Sequence, residues 1–193
     1  MMSGRNQFKR IKPVIKLLST VFSWFPGGLN KKLLFLFRSK KGKVGILLRY
    51  VLLANLAEAI GDNVSIREDV IILSPERLRL GSNISIHPYS YIQAGGGLQI
   101  GDNVSIATHS VIITETHTWK NEAVPIKYNP VLSTPVVIED DVWVAAGVEI
   151  IGPCIIHKRS VLAAGAVVRG EVPSGCVVGG VPAKVIKEMN SNQ

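Results

Sequence analysis

From Ile60 to Val168 an aliphatic residue returns every six positions. The series runs Ile60, Ile66, Ile72, then Leu80, Ile86, Ile92, then Ile100, Ile106, Ile112. After a gap it resumes with Ile138, Val144, Ile150, Ile156, Leu162 and Val168. A small or acidic residue commonly follows, as at Gly61, Gly81, Gly101, Glu139, Ala145 and Ala163. A second apolar or small residue usually sits four places after the first, as at Val64, Ile84, Val104, Val142 and Val148, with Ser160 an exception. An amphipathic helix repeats every 3.6 residues and a half-buried strand every two. A six-residue period fits neither, and instead predicts a parallel β-helix. Each unit is a short strand and a tight corner. The repeating aliphatic residue points inward and stacks on its equivalents, and three units make one triangular coil of about 18 residues. Gly at the following position avoids a clash, and Gly-Asp-Asn at 61–63 and 101–103 is turn chemistry.

The register slips in three places. Ile72 to Leu80 and Ile92 to Ile100 are eight residues apart, so each carries a two-residue insertion. Between Ile112 and Ile138 the period stops, and residues 114–134 read as a loop thrown out of one corner, where function often resides. Three segments result. Residues 1–59 form a basic, apolar, helical N-terminal segment. Residues 60–178 form the β-helix, with the extruded loop at 114–134. Residues 179–193 are expected to form a short C-terminal helix and tail. The fold class is mainly β.

Charge changes the picture only at the front. Residues 1–60 hold twelve Lys/Arg and one acid, Glu58, hence +11, whereas residues 61–193 hold ten Lys/Arg and thirteen acids, hence −3; the sum is +8. The basic residues alternate with Leu, Phe and Trp, which favours a membrane-surface helix over a nucleic-acid arm. The longest uncharged stretch near the start, Leu17–Asn30, is too short to span a bilayer and is broken by Pro26-Gly27-Gly28. No small-residue cleavage site follows it, so a signal peptide is the weaker reading. The bland expectation is that these helices cap the open end of the solenoid; the alternative adds peripheral membrane contact through residues 5–50. No nucleic-acid partner is expected. Cys154 and Cys176 read as buried small hydrophobes rather than nucleophiles or a disulfide. The four histidines, His87, His109, His117 and His157, show no zinc spacing, so no metal is expected.

His117 stands out, because it lies in the extruded loop within Thr114-Glu115-Thr116-His117-Thr118-Trp119. A neutral imidazole at a cleft mouth can take a proton from a hydroxyl near neutral pH, although a loop histidine by itself is more often merely solvated. Residues 60–187 resemble the hexapeptide-repeat O-acetyltransferases of maltose, galactoside and nodulation type, and especially the capsule and exopolysaccharide branch. The matching pieces are IGDNVSIA at 100–107, ITETHTW at 113–119, PVVIEDDVWVAAG at 135–147, VLAAGAVV at 161–168 and VVGGVPAKVIKE at 177–188.

The resemblance implies that the coil is left-handed, an exception to the crossover rule. It implies a homotrimer, with acetyl-CoA as co-substrate and His117 as general base. The acceptor hydroxyl would attack the thioester directly, with no acyl-enzyme. Trp143 would wall the pantetheine channel, the backbone at Ala145, Ala146, Ala163 and Ala164 would hold its amides, and Lys184 and Lys187 would meet the nucleotide phosphates. His87, Glu115 and Trp119 would face the acceptor, with Glu115 or a backbone carbonyl orienting the His117 ring.

The chain departs from the family pattern at three points. His87 stands where the galactoside enzymes carry Asn. Arg169-Gly170 replaces a Thr-Lys pair, so one phosphate contact is moved or lost, and Arg169 is the cofactor-binding position expected there. The N-terminal segment has no counterpart in the maltose enzymes. The implied function is O-acetylation of a sugar hydroxyl on a surface polysaccharide or its lipid-linked precursor, in the cytoplasm or at the inner membrane face. The rivals are transfer to an amine, as in amino-sugar N-acetyltransferases or serine acetyltransferase, and a non-catalytic scaffold.

Overall fold

The computed structural model describes residues 4–189. The six-residue period becomes a three-sided parallel solenoid of about six turns. On the first face the strands Ala59–Ile60, Leu78–Leu80, Leu98–Ile100 and Val136–Ile138 stack in that order, followed by residues 154–156. The second face stacks Ser65–Ile66, Ser85–Ile86, Ser105–Ile106, Trp143–Val144, Val161–Leu162 and Cys176–Gly179. The third stacks Ile71–Leu73, Tyr91–Gln93 and Val111–Ile113, then residues 149–151 and 167–168. Every repeat position from Leu80 onward is buried. Ile60 and Ile72, in the first coil, are only partly covered, because they have solenoid on one side alone. Cys154 and Cys176 are free and buried, as small hydrophobes would be, and burial pushes the Cys154 thiol up to about 11.

Two of the three corners are fixed by left-handed backbone. After the first face, Asn63, Asn83, Asn103, Asp141 and Arg159 all hold φ between 57° and 59°. Asn and Asp tolerate that region because their short polar side chains bond locally. The same corner carries a ladder from coil to coil: the backbone N–H of Asp62, Ser82 and Asp102 donates to the side-chain oxygen of Ser82, Asp102 and Asp140 respectively. After the second face the left-handed positions are Asp69, Tyr89, His109, Gly147 and Gly165. The third corner has no such rule, and all the irregularity gathers there. Both two-residue insertions and the long loop leave the coil at this one corner, between the third and first faces.

Three helices close the front of the solenoid: α1 (Gly4–Ser23), α2 (Gly27–Leu36) and α3 (Gly42–Ala54). Val51 and Leu53 of α3 enter the core against the first coil, and the Tyr50 hydroxyl donates to the Gly61 carbonyl at 3.0 Å. Arg49 is buried and binds the assembly together. Its Nε donates to Ile66 O, and its Nη1 to the carbonyls of Phe37, Arg38 and Lys40. Those carbonyls lie at and beyond the C-terminal end of α2, where the helix dipole favours a cation. Helix α1 lies along the solenoid: Arg5 donates to Asn103 in the third coil and Lys12 pairs with Asp62 in the first. Seven helical residues rise about 10.5 Å, matching two strand spacings of about 4.8 Å. No helix among the described residues is long and apolar enough to cross a membrane.

The expected C-terminal helix is not formed. Lys184–Glu188 is a strand, antiparallel to Cys176–Gly179. The last solenoid strand offers an unpaired edge, and the β-branched pair Val185-Ile186 suits a strand better than a short exposed helix. The remainder of the expected tail, 190–193, lies outside the described residues, as do residues 1–3.

Two predictions follow from this packing. Ile106 sits mid-solenoid with no exposure, so Ile106→Ala should cost about 2–5 kcal/mol in denaturant unfolding, and Ile60→Ala clearly less. The second concerns His157, whose Nδ1 lies 3.0 Å from Glu139 Oε1 and whose Nε2 lies 2.7 Å from Glu171 Oε1. The bond to Glu171 and then that to Glu139 raise the imidazole above its ordinary value. The Lys158 backbone N–H, then His157, hold the Glu139 carboxyl below its own. The His157 contribution is full below the ordinary imidazole value and is lost as pH rises through the raised one. The Glu139 contribution is present above the ordinary carboxylate value and is lost as pH falls through the lowered one. His157→Gln should therefore lower Tm more at about pH 6 than at about pH 8.

Candidate active site

The extruded loop is a built structure. Its two ends form an antiparallel hairpin, Glu115–His117 against Val131–Ser133, with Glu115 opposite Ser133, Thr116 opposite Leu132 and His117 opposite Val131. The tip is tied by Asn129, which is buried although it lies in a loop. Its Oδ1 accepts from the Asn121 N–H at 2.9 Å, and its Nδ2 donates to the Asn121 carbonyl at 3.1 Å. One side chain thus closes an eight-residue span by satisfying backbone groups that would otherwise need water.

The same residue positions the histidine. His117 Nδ1 lies 3.3 Å from the Asn129 carbonyl oxygen. A carbonyl only accepts, so Nδ1 carries the hydrogen, and in the neutral ring Nε2 is left with a lone pair. Glu115 does not orient the ring. Its carboxylate accepts a hydrogen bond from Ser133 Oγ at 3.2 Å and packs over Gly95, where a Cβ would collide with it. Of the two expected orienting groups, the backbone carbonyl is the one in place.

His117 borders a pocket of about 140 Å³ at the third corner, lined by Trp119, Lys120, Thr134, Gly152, Pro153 and Arg169 among others. Arg169 thus stands beside His117. Thr134 Oγ1 is buried without a hydrogen-bond partner among the described residues. Burying an unmet hydroxyl is costly, and this one lines the pocket.

The other expected residues gather elsewhere. Trp143, about half exposed, is on the second face. His87, Ala145, Ala146, Ala163 and Ala164 are at the second corner, and Lys184 and Lys187 lie on the strand that extends the second-face sheet. At this corner the coils change character. The second and third coils carry Tyr89 and His109, whose rings stack at 5.2 Å. The fourth and fifth carry Ala145-Ala146-Gly147 and Ala163-Ala164-Gly165, a furrow of small residues. A Cβ at Gly165 would meet nothing within 4 Å. Ala146 and Ala164 point outward, and among the described residues neither backbone N–H has a partner. Two free amide donors on a furrow without bulk can hold an extended chain bearing amide carbonyls. A pantetheine arm fits that description.

Within one chain, therefore, His117, Trp119, Glu115 and Arg169 sit at one corner of the prism, and the furrow, Trp143 and His87 sit at or beside another. Among the described residues no group of three or more His, Cys, Asp or Glu is placed to hold a metal. Sequence reasoning missed Asn129, Thr134, Lys120 and the Tyr89–His109 stack. The Asn129-Pro130 pair is a turn signal that could have drawn attention to the first. Nothing local marks the others.

Residues 135–170 match the family model for the bacterial transferase hexapeptide, six repeats. Over 64 residues the chain is 45% identical to a 2,3,4,5-tetrahydropyridine-2,6-dicarboxylate N-acetyltransferase of Staphylococcus aureus. That match spans 33% of this chain and 27% of the relative. Among solved structures, a hexapeptide-repeat acetyltransferase of Vibrio cholerae complexed with acetyl coenzyme A superposes with TM-score 0.75 at 26% identity, over 84% of this chain and 86% of the other. A maltose O-acetyltransferase of Clostridium difficile gives 0.73 at 26%, over 85% and 86%. A galactoside acetyltransferase in complex with coenzyme A gives 0.67 at 25%, over 83% and 79%. In repeat and in coil, this chain is similar to the hexapeptide-repeat acetyltransferases, and residues 135–170 match the hexapeptide model itself.

Proposed function

We propose that the protein transfers an acetyl group from acetyl-CoA directly to a hydroxyl of a surface glycan or its lipid-linked precursor, with His117 as general base. One observation carries the reading: His117 borders a pocket with Nδ1 committed to the Asn129 carbonyl, which leaves Nε2 as a proton acceptor. His117 Nε2 takes the acceptor's proton as its oxygen bonds the thioester carbonyl carbon. The C–S bond breaks, and the imidazolium returns the proton to the departing sulfur. The chain needs no nucleophile of its own, and both cysteines are buried and neither lines the pocket. The Ala-Ala-Gly furrow would hold the pantetheine arm, Trp143 would flank it, and Lys184 and Lys187 would meet the nucleotide phosphates. Arg169 and Lys120 would face the acceptor side.

Hydroxyl rather than amine transfer is favoured by the likeness to the maltose and galactoside enzymes over most of both chains. The likeness to the N-acetyltransferase is confined to a third of this chain, and N-acyltransferases of Bacillus cereus share the fold over 70% of it at only 18–19% identity. A complete site would draw on two chains of a homotrimer, because the His117 corner and the furrow corner are different edges of one prism. The loop also exposes Trp119, Ile126, Tyr128, Val131 and Leu132, an apolar surface that a neighbouring copy would cover.

Thiol release from acetyl-CoA, measured against a panel of sugars and oligosaccharides, should depend on acceptor. His117→Ala should reduce it by about 10² to 10⁴ while leaving acetyl-CoA binding intact; undiminished release would remove His117 as the base. Ala164→Leu fills the furrow without touching the core, so it should raise KM for acetyl-CoA and leave His117 chemistry unaltered. Mixed chains of the two variants should recover turnover if one site draws on two copies.

A further inference from the structure

The N-terminal helices do more than cap the coil. On α1, Phe8, Ile15 and Phe22 turn inward at seven-residue spacing, and Val14, Leu17 and Val21, at i, i+3 and i+7, share another face that is open. On α2, Leu29 and Leu36 are open on one side with Lys32 between them, and Phe35 beside them is also open. The elbow joining the helices is held in shape. Asn30 is buried and its Nδ2 donates to the Phe22 carbonyl at 3.0 Å, and Phe22 meets Phe25 edge to face. From this fixed elbow Trp24 projects with 78% of its surface exposed; Phe35 and Leu36 are exposed by 67% and 70%.

The charge around these side chains has one sign. No acid precedes Glu58. Lys9, Arg10, Lys16, Lys32, Lys40 and Lys41 make no ion pair among the described residues. The nearby acids are already used: Asp62 by Lys12, Glu76 by Lys31, Asp69 by Arg38 and Ser39, and Glu58 by Arg79. A second copy laid on this surface would bring the same charge against itself. A duplex would use the cations and leave the aromatic and aliphatic side chains in water. A bilayer surface of anionic headgroups accepts both: rings and aliphatics enter the acyl boundary while the cations meet phosphates.

We infer that the α1–α2 elbow is a docking surface for an anionic lipid bilayer, with Trp24, Phe35 and Leu36 inserting and the flanking lysines holding the headgroups. The helices would lie in the plane of the interface, since neither is long and apolar enough to cross it. This site is separate from the His117 pocket, and its occupancy does not depend on the transfer reaction.

The test is sedimentation of the full chain with vesicles of phosphatidylcholine alone, or with about a quarter phosphatidylglycerol. The expected result is binding to the anionic vesicles only, weakened when salt rises from about 0.1 to about 0.5 M. The triple variant Trp24→Ser, Phe35→Ser, Leu36→Ser should bind at least about tenfold more weakly, with unchanged solution mass and unchanged acetyl-CoA binding. Absence of binding by the wild type would overturn the inference, as would full binding by the variant. A loss of solution mass in the variant would also overturn it, by assigning the patch to a contact between copies. Because vesicle binding and thiol release are read separately, failure of either leaves the other standing.

Discussion

Everything in this molecule depends on the stacking of one aliphatic side chain on its equivalent one coil away. The ladder of Leu80, Ile100, Ile138 and Ile156 on the first face is repeated on the other two, and parallel backbone pairing runs alongside each ladder. Neither term stands alone. A single coil would expose half of each side chain and half of each backbone ladder, so stability accrues only between neighbours. The ends are therefore the weak places. The chain closes the front with α3 and the buried Arg49, and the back with an antiparallel strand from its own C-terminus.

The same constraint sorts the exterior. Inward positions are spoken for, and the first two corners are held to left-handed backbone in every coil from the first to the fifth, by Asn, Asp or Gly at seven of the ten positions. Two places remain where the chain can vary without disturbing the stack. One is the outward side of the second corner, where coils four and five drop to Ala and Gly and leave a furrow. The other is the third corner, where inserted residues leave the coil without shifting the next strand. Ile113 and Val136 remain in the ladders on either side of the extruded loop. The proposed chemistry occupies what packing leaves free. The cost of holding a histidine on such a loop is met by Asn129, whose side chain ties the tip and whose carbonyl fixes the ring.

Much of this was legible beforehand. The period of six named the central buried ladders of all three faces, because inward pointing at a fixed rise is a property of the strand itself; it did not name Leu78, Leu98 and Val136 or the Val51, Leu52 and Leu53 of α3. His117 was legible as a candidate because it lay where the period failed. One expectation was not met in the structure, and of two alternatives for the group that orients His117 one was taken. Val185 and Ile186 entered a strand and not a helix, since a sheet edge eight residues earlier in the chain offered partners that local propensity does not count. Glu115 turned to Ser133, because the hairpin register brings those two opposite each other, and register comes from pairing rather than from composition.

The sequence by itself determined the coil, its three-unit turn, the corner at which the loop leaves, and the charge divide at residue 60. These follow from short-range period and residue chemistry. Only the tertiary structure decided that Asn129 orients His117 and that Arg169 stands at the His117 pocket. It alone separated the furrow from the histidine by one edge of the prism and turned α1 and α2 so that Trp24, Phe35 and Leu36 face outward. Each of those outcomes depends on which distant segments share a corner or a coil. That is set by how turns stack and loops close, which no local window of residues contains.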